Sequence, residues 1–413
     1  MNKKGWISRV ESDEAQIVEL CRRLVQIPSE NPPGDTRDMA RFLESLFKER
    51  GLEYQIYAPE STKPNLLTRV RGREGGKCLV LNGHIDTVGV GDLKAWVHGP
   101  FSGDLEEGRI YGRAASNMKG GAAASIITFL YLSENPELID GEAVLALVSD
   151  DEAGGEWGVV WMLDNVAEMC GEAVLNGGPS GCNFVNFAEK GPIWMTVASE
   201  GKASLAAYPH LGMNAVHEMM DFLTELRKLE GLKAPTEIVG ALDEGRSALD
   251  EAKGAGTTDA LLRVTVSVGV ISGGRKINHV PQDCTAEVDI RMPPGISASE
   301  ILGEIELMQS RYPGIKCTYA LAEDAGVTLP KEEIIQLALE NARLTQVRQV
   351  FLGSGLGFTS CRYFRSRGIP CAVYGPRPFH IGDPNEYVLV KDLVDTVKVH
   401  TLTALDYLGY FKS

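Results

Sequence analysis

The sequence lacks several features that would narrow its function at once. Its eight cysteines include no Cys-x-x-Cys pair, and it has neither an apolar leader nor an apolar run long enough to span a bilayer. Basic residues are fewer than acidic ones: the sequence has 41 Lys and Arg and 56 Asp and Glu, which gives a net charge of −15. This charge argues against a polyanionic partner. We therefore expect a cytoplasmic protein with reduced thiols, a small-molecule substrate, and no nucleic acid or membrane partner.

The sequence does contain two different patterns of predicted strands and helices. Its 413 residues, of which 44% are hydrophobic, predict two domains. Strand and helix patterns alternate up to residue 190 and again from residue 329, which predicts an α/β domain with a mixed sheet covered by helices. Between them, the order strand-helix-strand-strand-helix-strand predicts a smaller α+β domain. The predicted catalytic domain is 1–190 and 322–413, and the predicted insertion is 191–321, with a long loop at 234–258.

A histidine and an aspartate follow directly after a predicted buried strand, where residues 79–87 read LVLNGHIDT. At this spacing Asp86 can accept a hydrogen bond from one ring nitrogen of His84 and leave the other nitrogen for a metal. A histidine that stands alone at a strand end is more often structural. We favour a metal site because two further polar stretches follow it in the chain.

The first of these stretches, residues 112–121, reads GRAASNMKGG and is a tight polar turn that opens an apolar helix. The second, residues 149–155, reads SDDEAGG and follows another buried strand. Its three successive carboxylates repel one another unless a cation or a proton relieves them. An acidic loop that leads into a helix N-terminus is the simpler alternative, since the helix dipole favours it. With His84 ahead of them in the chain, a metal site is the better interpretation.

These stretches resemble the metallopeptidase family that includes acetylornithine deacetylase, succinyl-diaminopimelate desuccinylase, aminoacylase and glutamate carboxypeptidase. The resemblance runs in order from residues 27–29 to 384–388, and it includes 273–281 and 289–295 in the insertion. It implies a zinc-dependent amidohydrolase whose insertion is a lid and dimerisation domain. A homodimer formed near residues 191–320 is expected, because two edge strands there would need cover.

The resemblance assigns roles to the polar residues one by one. His84 takes the place of the family's first metal histidine, and Asp86 takes that of the aspartate that orients it. Asn117 stands where the family has the aspartate that bridges two zinc ions, and a neutral amide bridges poorly. Asp151 falls on the general-base glutamate, and Glu152 falls on the next metal carboxylate.

Three other positions depart from the family's pattern. Gly178 stands at a further metal carboxylate, and Leu205 stands at the histidine that polarises the scissile carbonyl from the neighbouring subunit. Gly382 stands at the last metal histidine, although His380 lies two residues earlier. So few ligands remain that we expect one divalent ion, zinc or in its place manganese or cobalt, or else no metal. The candidate ligands are His84, Glu152, Asn117 and His380.

The resemblance also marks residues that would bind a substrate carboxylate. Asn278 and Arg291 match positions of the lid that have this role, and an arginine fork suits a carboxylate. The turn at 357–362 resembles another substrate-binding turn and keeps Thr359 and Arg362. The alternative for either arginine is an internal ion pair.

These residues together predict a metal-dependent hydrolase that cleaves an amide or related C–N bond of an N-acyl amino acid or a dipeptide. Water activated by the metal would attack, and Asp151 would take its proton. Two alternatives stay open, in part because loss of a carbonyl-polarising donor costs ~10²–10³ in rate. One is a binding protein that keeps the cleft without catalysis. The other is an enzyme with a rebuilt site that uses Asp151, His380 or Asn117 in new roles.

Overall fold

The apolar runs around residues 80 and 145 become buried, neighbouring strands in the computed structural model, which describes residues 1–346, 349–357 and 359–412. The chain divides into two units. The first comprises Met1–Phe187, Thr328–Gly353 and Thr359–Ser413, and the second comprises Ala188–Val327 and Ser354–Phe358. The sequence placed these boundaries at 190/191 and 321/322, and it did not anticipate the short return of the chain to the second unit.

The helices and strands follow the alternation expected from the hydrophobic pattern. None of the helices in the part of the chain that the structure describes is long and apolar enough to cross a membrane. The elements are α1 Lys3–Ser12, α2 Glu14–Val25, α3 Arg37–Glu49, β1 Tyr54–Tyr57, β2 Asn65–Arg71, β3 Arg73–His84, β4 Leu105–Glu106, β5 Arg109–Tyr111, α4 Gly120–Glu134, β6 Asp140–Val148, α5 Trp161–Asn165, β7 Ala173–Asn176, β8 Phe184–Glu189, β9 Gly191–Glu200, β10 Ser204–Leu205, α6 Ala215–Leu226, α7 Thr236–Asp243, α8 Arg246–Lys253, α9 Thr257–Leu261, β11 Thr265–Gly273, β12 His279–Val280, β13 Asp283–Met292, α10 Ala298–Gln309, β14 Ile315–Ala322, α11 Glu333–Thr345, β15 Phe351–Gly355, α12 Cys361–Arg365, β16 Cys371–Val373, β17 Tyr387–Leu389 and α13 Val390–Tyr407.

The first unit is built on an eight-stranded sheet in the order β1-β2-β6-β3-β7-β16-β8-β15. β3 runs parallel to both β6 and β7, whereas β2 pairs antiparallel with β6. The last six residues of β3 and of β6 are all buried, as expected for parallel strands that are covered on both faces. The predicted mixed α/β sheet is therefore confirmed.

The second unit contains a four-stranded antiparallel sheet in the order β11-β13-β9-β14. Side chains of β9 alternate between buried and exposed, and the buried set packs with Phe222 of α6 and Ile301 of α10. α10 begins with a capping box in which Ser297 and Glu300 satisfy each other's backbone N–H groups. The chain order β9-α6-β11-β13-α10-β14 is the predicted α+β arrangement, and it is confirmed.

The predicted loop at 234–258 is wrong. The structure places α7, α8 and the start of α9 there. Ile238 and Leu242 are four residues apart on α7, and both are buried, as is Leu249 of α8. Glycine and charged residues dominate this stretch and conceal the helical spacing of its few apolar residues, which decide the structure once they have a core to pack against.

Candidate functional site

His84 and the acidic stretch meet at the carboxyl ends of neighbouring parallel strands. β3 ends at His84, which is in register with Val148, the last residue of β6. Loops that leave the same edge of a parallel sheet lie close together, and ligands of α/β folds bind at such edges. The loop that contains the acidic residues 150–152 therefore starts next to His84.

Asp86 is the centre of this edge. Its carboxylate accepts the backbone N–H of Asp151 at 3.2 Å, the backbone N–H of Glu152 at 3.1 Å and the side-chain amide of Asn31 at 2.9 Å. Nδ1 of His84 lies 3.4 Å from the carboxylate of Asp86 and 3.0 Å from the backbone carbonyl oxygen of Asp86. Burial alone would raise the pKa of Asp86, but its contacts with His84 and Asn31 lower it. Asp86 is therefore a buried anion that ties the histidine to the acidic loop.

The other ring nitrogen of His84 faces the predicted base, because Nε2 lies 3.9 Å from Oδ2 of Asp151. Burial disfavours the charged ring, but Asp151, Asp86 and Glu152 outweigh it and raise the pKa of His84 to about 10. Burial raises the pKa of Asp151, and it raises that of Glu152 to about 7. The site therefore concentrates groups whose proton affinities differ from their values in water, as acid–base sites do.

Asn117 lies on a loop that is held by one buried carboxylate. Oε1 of Glu386 accepts the backbone N–H groups of Ser116 and Asn117, each at 3.1 Å, while Oε2 accepts Nη1 of Arg113 at 2.9 Å. The side-chain amide of Asn117 donates to Oε1 of Glu152 at 3.1 Å. Asn117 therefore presents its nitrogen, and not its oxygen, to the nearest carboxylate of the site.

Gly178 has no side chain where the family has a carboxylate, and a larger residue here would displace the side-chain amide of Asn176. Its N–H donates to Oδ1 of Asn176 at 2.8 Å, and a Cβ added to the glycine would lie 2.9 Å from that oxygen and 3.2 Å from Val373. The amide of Asn176 donates in turn to Oδ1 of Asn82 at 2.9 Å, and Ser360 donates to the same oxygen at 2.9 Å. A buried network of amides and a hydroxyl therefore stands at the end of β7.

His380 is exposed and has a left-handed backbone with φ 54°, and its ring centroid lies 6.0 Å from that of Tyr387. Its carbonyl oxygen accepts the N–H of Asp383 at 2.9 Å, and its ring makes no hydrogen bond or ion pair with another residue that the structure describes. Across residues 1–346, 349–357 and 359–412, no group of three or more His, Cys, Asp or Glu side chains is arranged to hold a metal ion. The candidate residues that the structure brings together are His84, Asp86, Asn117, Asp151 and Glu152.

α12 brings Arg362 to the vicinity of the acidic loop. Its side chain is largely buried, and Nη2 donates to the hydroxyl of Tyr363, which donates to a backbone carbonyl of that loop. The charge of Arg362 is one of the smaller influences on the pKa of Asp151, which it lowers against the larger effect of burial. The hydroxyl of Thr359 accepts a backbone N–H from the first turn of α12. Phe358, which belongs to the same predicted turn, lies outside the described residues.

The second unit holds the other two predicted substrate-binding residues. Arg291 forms a bidentate ion pair with Asp289, at 2.7 Å through Nε and 2.9 Å through Nη2, and its guanidinium lies 5.8 Å from the ring centroid of Trp194. Asn278 is exposed, and its carbonyl oxygen accepts the N–H of Ala206 at 2.9 Å. Arg291 is therefore engaged in the kind of internal ion pair that the sequence left open as the alternative.

Three residues near the site were missed by the sequence reasoning. Asn31 and Lys63 donate to the carboxylate of Asp150 at 3.1 and 2.6 Å, and Glu386 holds the Asn117 loop. Asn31 lies outside every stretch to which the sequence assigned a role, and Glu386 lies in the matched stretch 384–388 without a role of its own. The acidic stretch at 149–155 gave one signal that such donors exist, because successive buried carboxylates need hydrogen-bond donors from elsewhere in the chain.

Residues 80–406 match the family described as Peptidase family M20/M25/M40. Succinyl-diaminopimelate desuccinylase of Paracoccus denitrificans is 30% identical over 291 residues, which cover 68% of this chain and 69% of that protein. A probable succinyl-diaminopimelate desuccinylase of Staphylococcus aureus is 22% identical over 405 residues, covering 96% and 98%. The crystal structure of an M20 family metallo-carboxypeptidase from Sulfolobus solfataricus has the same fold, with a TM-score of 0.78, 16% identity, and coverage of 95% of this chain and 99% of that one. The chain belongs to Peptidase family M20/M25/M40.

Proposed function

We propose that this family member is a hydrolase that cleaves an amide or related C–N bond in a small, carboxylate-bearing substrate of the N-acyl amino acid or dipeptide type. The observation that carries the proposal is the convergence of His84, Asp151 and Glu152 on the buried carboxylate of Asp86. A desuccinylase among the relatives supports an N-acyl substrate, because succinyl-diaminopimelate is a carboxylate-bearing amide.

We assign Asp151 the role of general base. Its carboxylate faces the ring of His84 at 3.9 Å, and its backbone is held by Asp86, so the group that would take a proton from the attacking water has a defined position. Asp86 orients the ring of His84 through Nδ1. An aspartate is one methylene shorter than the family's glutamate, so the water must approach the loop more closely than in those relatives.

The residues described do not fit a pair of metal ions, because Asn117 is neutral and donates to Glu152, and because Gly178 has no side chain to act as a ligand. The proposal therefore includes at most one divalent ion, zinc or in its place manganese or cobalt, with His84, Glu152 and Asn117 as the first ligands to test and His380 as a further candidate. Such an ion would supply Lewis acidity. The roles assigned above to Asp151 and Asp86 rest on the chain's own contacts.

The substrate carboxylate is assigned first to Arg362, with Thr359 beside it, because this guanidinium is largely buried and acts on Asp151. In the second unit, Asn278 and Arg291 are the candidates for binding a substrate carboxylate. Arg291 would have to exchange its present partner, Asp289, for the substrate. An arginine that exchanges one carboxylate for another keeps the same hydrogen-bond geometry.

The proposal is tested by a screen of N-acyl amino acids and dipeptides, followed by Asp151→Asn on whichever substrate is turned over. We expect kcat to fall by about 10²-fold or more, because a carboxamide cannot accept the proton of the water at neutral pH. Metal content, measured by mass spectrometry, should stay below two ions per chain in both proteins. The matched control is Asp92→Asn, an exposed carboxylate that caps a short helix, where asparagine caps equally well.

Unchanged turnover in Asp151→Asn would remove this residue as the base and favour a rebuilt site. Two ions per chain in the metal-replete protein would contradict the ligand assignment. A protein that hydrolyses nothing in the screen, yet binds the same compounds only while Arg362 is intact, would be a binding protein and not a hydrolase.

A further inference from the structure

Asn31 lies in the turn after α2, and the backbone fixes it to the edge of the sheet. Its N–H donates to the carbonyl oxygen of Thr87 at 2.7 Å, and the N–H of Thr87 donates to the carbonyl oxygen of Ser29 at 2.9 Å. The side chain is buried. The position of this amide is therefore set by the same strand extension that carries His84 and Asp86.

The amide of Asn31 gives hydrogen bonds to two buried carboxylates. Nδ2 donates to Oδ2 of Asp86 at 2.9 Å and to Oδ1 of Asp150 at 3.1 Å. Asp150 also accepts Nζ of Lys63 at 2.6 Å and the backbone N–H of Trp157 at 3.1 Å. One neutral donor group thus joins two anions that would otherwise repel each other, and one lysine offsets part of their charge.

We propose that Asn31 is a positioning residue that acts on the candidate site through Asp86. A carboxylate that must serve His84 and two backbone N–H groups at once has to keep one orientation of its plane. The bond from Asn31 to Oδ2 fixes that orientation, and the bond to Asp150 ties it to the residue before Asp151. Asn31 therefore sets where the ring of His84 and the carboxylate of Asp151 stand relative to each other, without touching the substrate.

The inference rests on the proposed function for its kinetic test, and a structural test stands beside it. In Asn31→Ala, kcat should fall by about 10- to 100-fold, the usual cost of removing a group that orients active-site residues, while KM changes little. In Asn31→Asp the loss should be larger, because an ionised carboxylate cannot donate and adds a third negative charge. In a crystal structure of Asn31→Ala, the carboxylate of Asp86 should turn away from the N–H groups of Asp151 and Glu152.

Asn341→Ala is the matched control, since Asn341 is also buried and its amide donates to a carboxylate, Asp406, at 2.7 Å in a different part of the same unit. It should lose thermal stability to a similar extent but keep kcat. Asn31→Ala with the kcat of the parent protein, or an equal loss of kcat in Asn341→Ala, would overturn the inference. If the parent protein hydrolyses no compound, the proposed function fails, and an unmoved Asp86 in the variant's crystal structure would then overturn the role of Asn31 separately.

Discussion

Single buried carboxylates organise the loops of the candidate site. Asp86 serves His84, Asn31 and two backbone N–H groups, while Glu386 serves the turn that carries Asn117. A buried anion is costly unless several donors satisfy it, and each donor is in turn held in place by the anion. The geometry of the candidate site thus depends on two buried carboxylates whose contacts are with the protein itself.

His400 gives a residue-scale prediction about pH. It is buried in α13, where Nε2–H donates to the carbonyl oxygen of Tyr374 at 2.7 Å, and burial lowers the pKa of the ring to about 4. An unfolded histidine has a pKa of about 6.5. The unfolded state therefore binds a proton first as the pH falls, so the stability that the neutral ring contributes is complete above pH ~6.5 and is lost towards pH ~4.

His400→Gln keeps a donor but cannot titrate. Between pH 7 and pH 5, the free energy of unfolding of the parent should fall by about 2 kcal/mol more than that of the variant. Urea denaturation at both pH values measures this difference. Parallel losses in the two proteins would show that His400 is protonated in the folded state.

Some of the site could be predicted from residues alone, and some could not. His84, Asp86, Asp151 and Glu152 each lie within a few residues of the end of a buried strand, so a local sequence pattern is enough to find them. The sequence also shows directly that Asn117 stands in place of the family's aspartate. The bond between Asn117 and Glu152, or between Asn31 and two carboxylates, joins residues far apart in the chain. Partners of this kind depend on tertiary packing, and local patterns carry no information about them.

At the scale of elements, α4 approaches the sheet through two glycines. A Cβ on Gly121 would lie 1.9 Å from the carbonyl oxygen of Gly177, and a Cβ on Gly177 would lie 2.6 Å from the carbonyl oxygen of Gly121. The backbones of the helix start and the end of β7 are therefore in direct contact. No rotation of a side chain relieves such a clash, so the helix itself would have to move.

Gly121→Ala should lower the free energy of unfolding by about 3 kcal/mol, despite the better helix propensity of alanine. Gly303→Ala is the control, because Gly303 lies in α10 with nothing within 4 Å of an added Cβ. There the change should stabilise by about 0.5–1 kcal/mol. Thermal and urea unfolding would measure both variants, and equal effects at the two positions would contradict the close approach.

The sequence predicted the longer elements well because their hydrophobic pattern identifies them without knowledge of what they pack against. The buried strands predicted before His84 and before residue 149 are present as β3, which ends at His84, and β6, which ends at Val148. The helices between residues 234 and 258 were missed because short helices with one or two apolar residues derive their stability from packing. Family membership, which the ordered motifs implied, is confirmed.

At the scale of the whole molecule, we predict a homodimer formed through the second unit. β11 and β14 are the edge strands of its sheet, and Val270 and Ile271 of β11 are each about half exposed. An exposed apolar edge strand has unpaired N–H and C=O groups with which another chain can pair. Sedimentation at micromolar concentration should show a dimer, and Ile271→Lys should raise its dissociation constant by about tenfold or more.

The control for this prediction is Val97→Lys, an exposed apolar residue of the first unit, which should leave the dimer intact. A parent protein that sediments as a monomer would refute the prediction. So would a dimer that dissociates equally in both variants. Leu205 stands where the family has a histidine that reaches the site of the neighbouring subunit. We therefore expect the dimer to contribute to stability and not to supply that histidine.

The hydrogen bond from the backbone N–H of Asn117 to the carboxylate of Glu386 joins residues 269 positions apart, and this separation has a consequence for biosynthesis. A ribosome that has just finished the second unit has already released β3, β6 and the Asn117 loop, but not the carboxylate that this loop needs. Until residue 386 emerges, those N–H groups have only water as a partner. We therefore expect the candidate site to assemble only after residue 386 has left the ribosome.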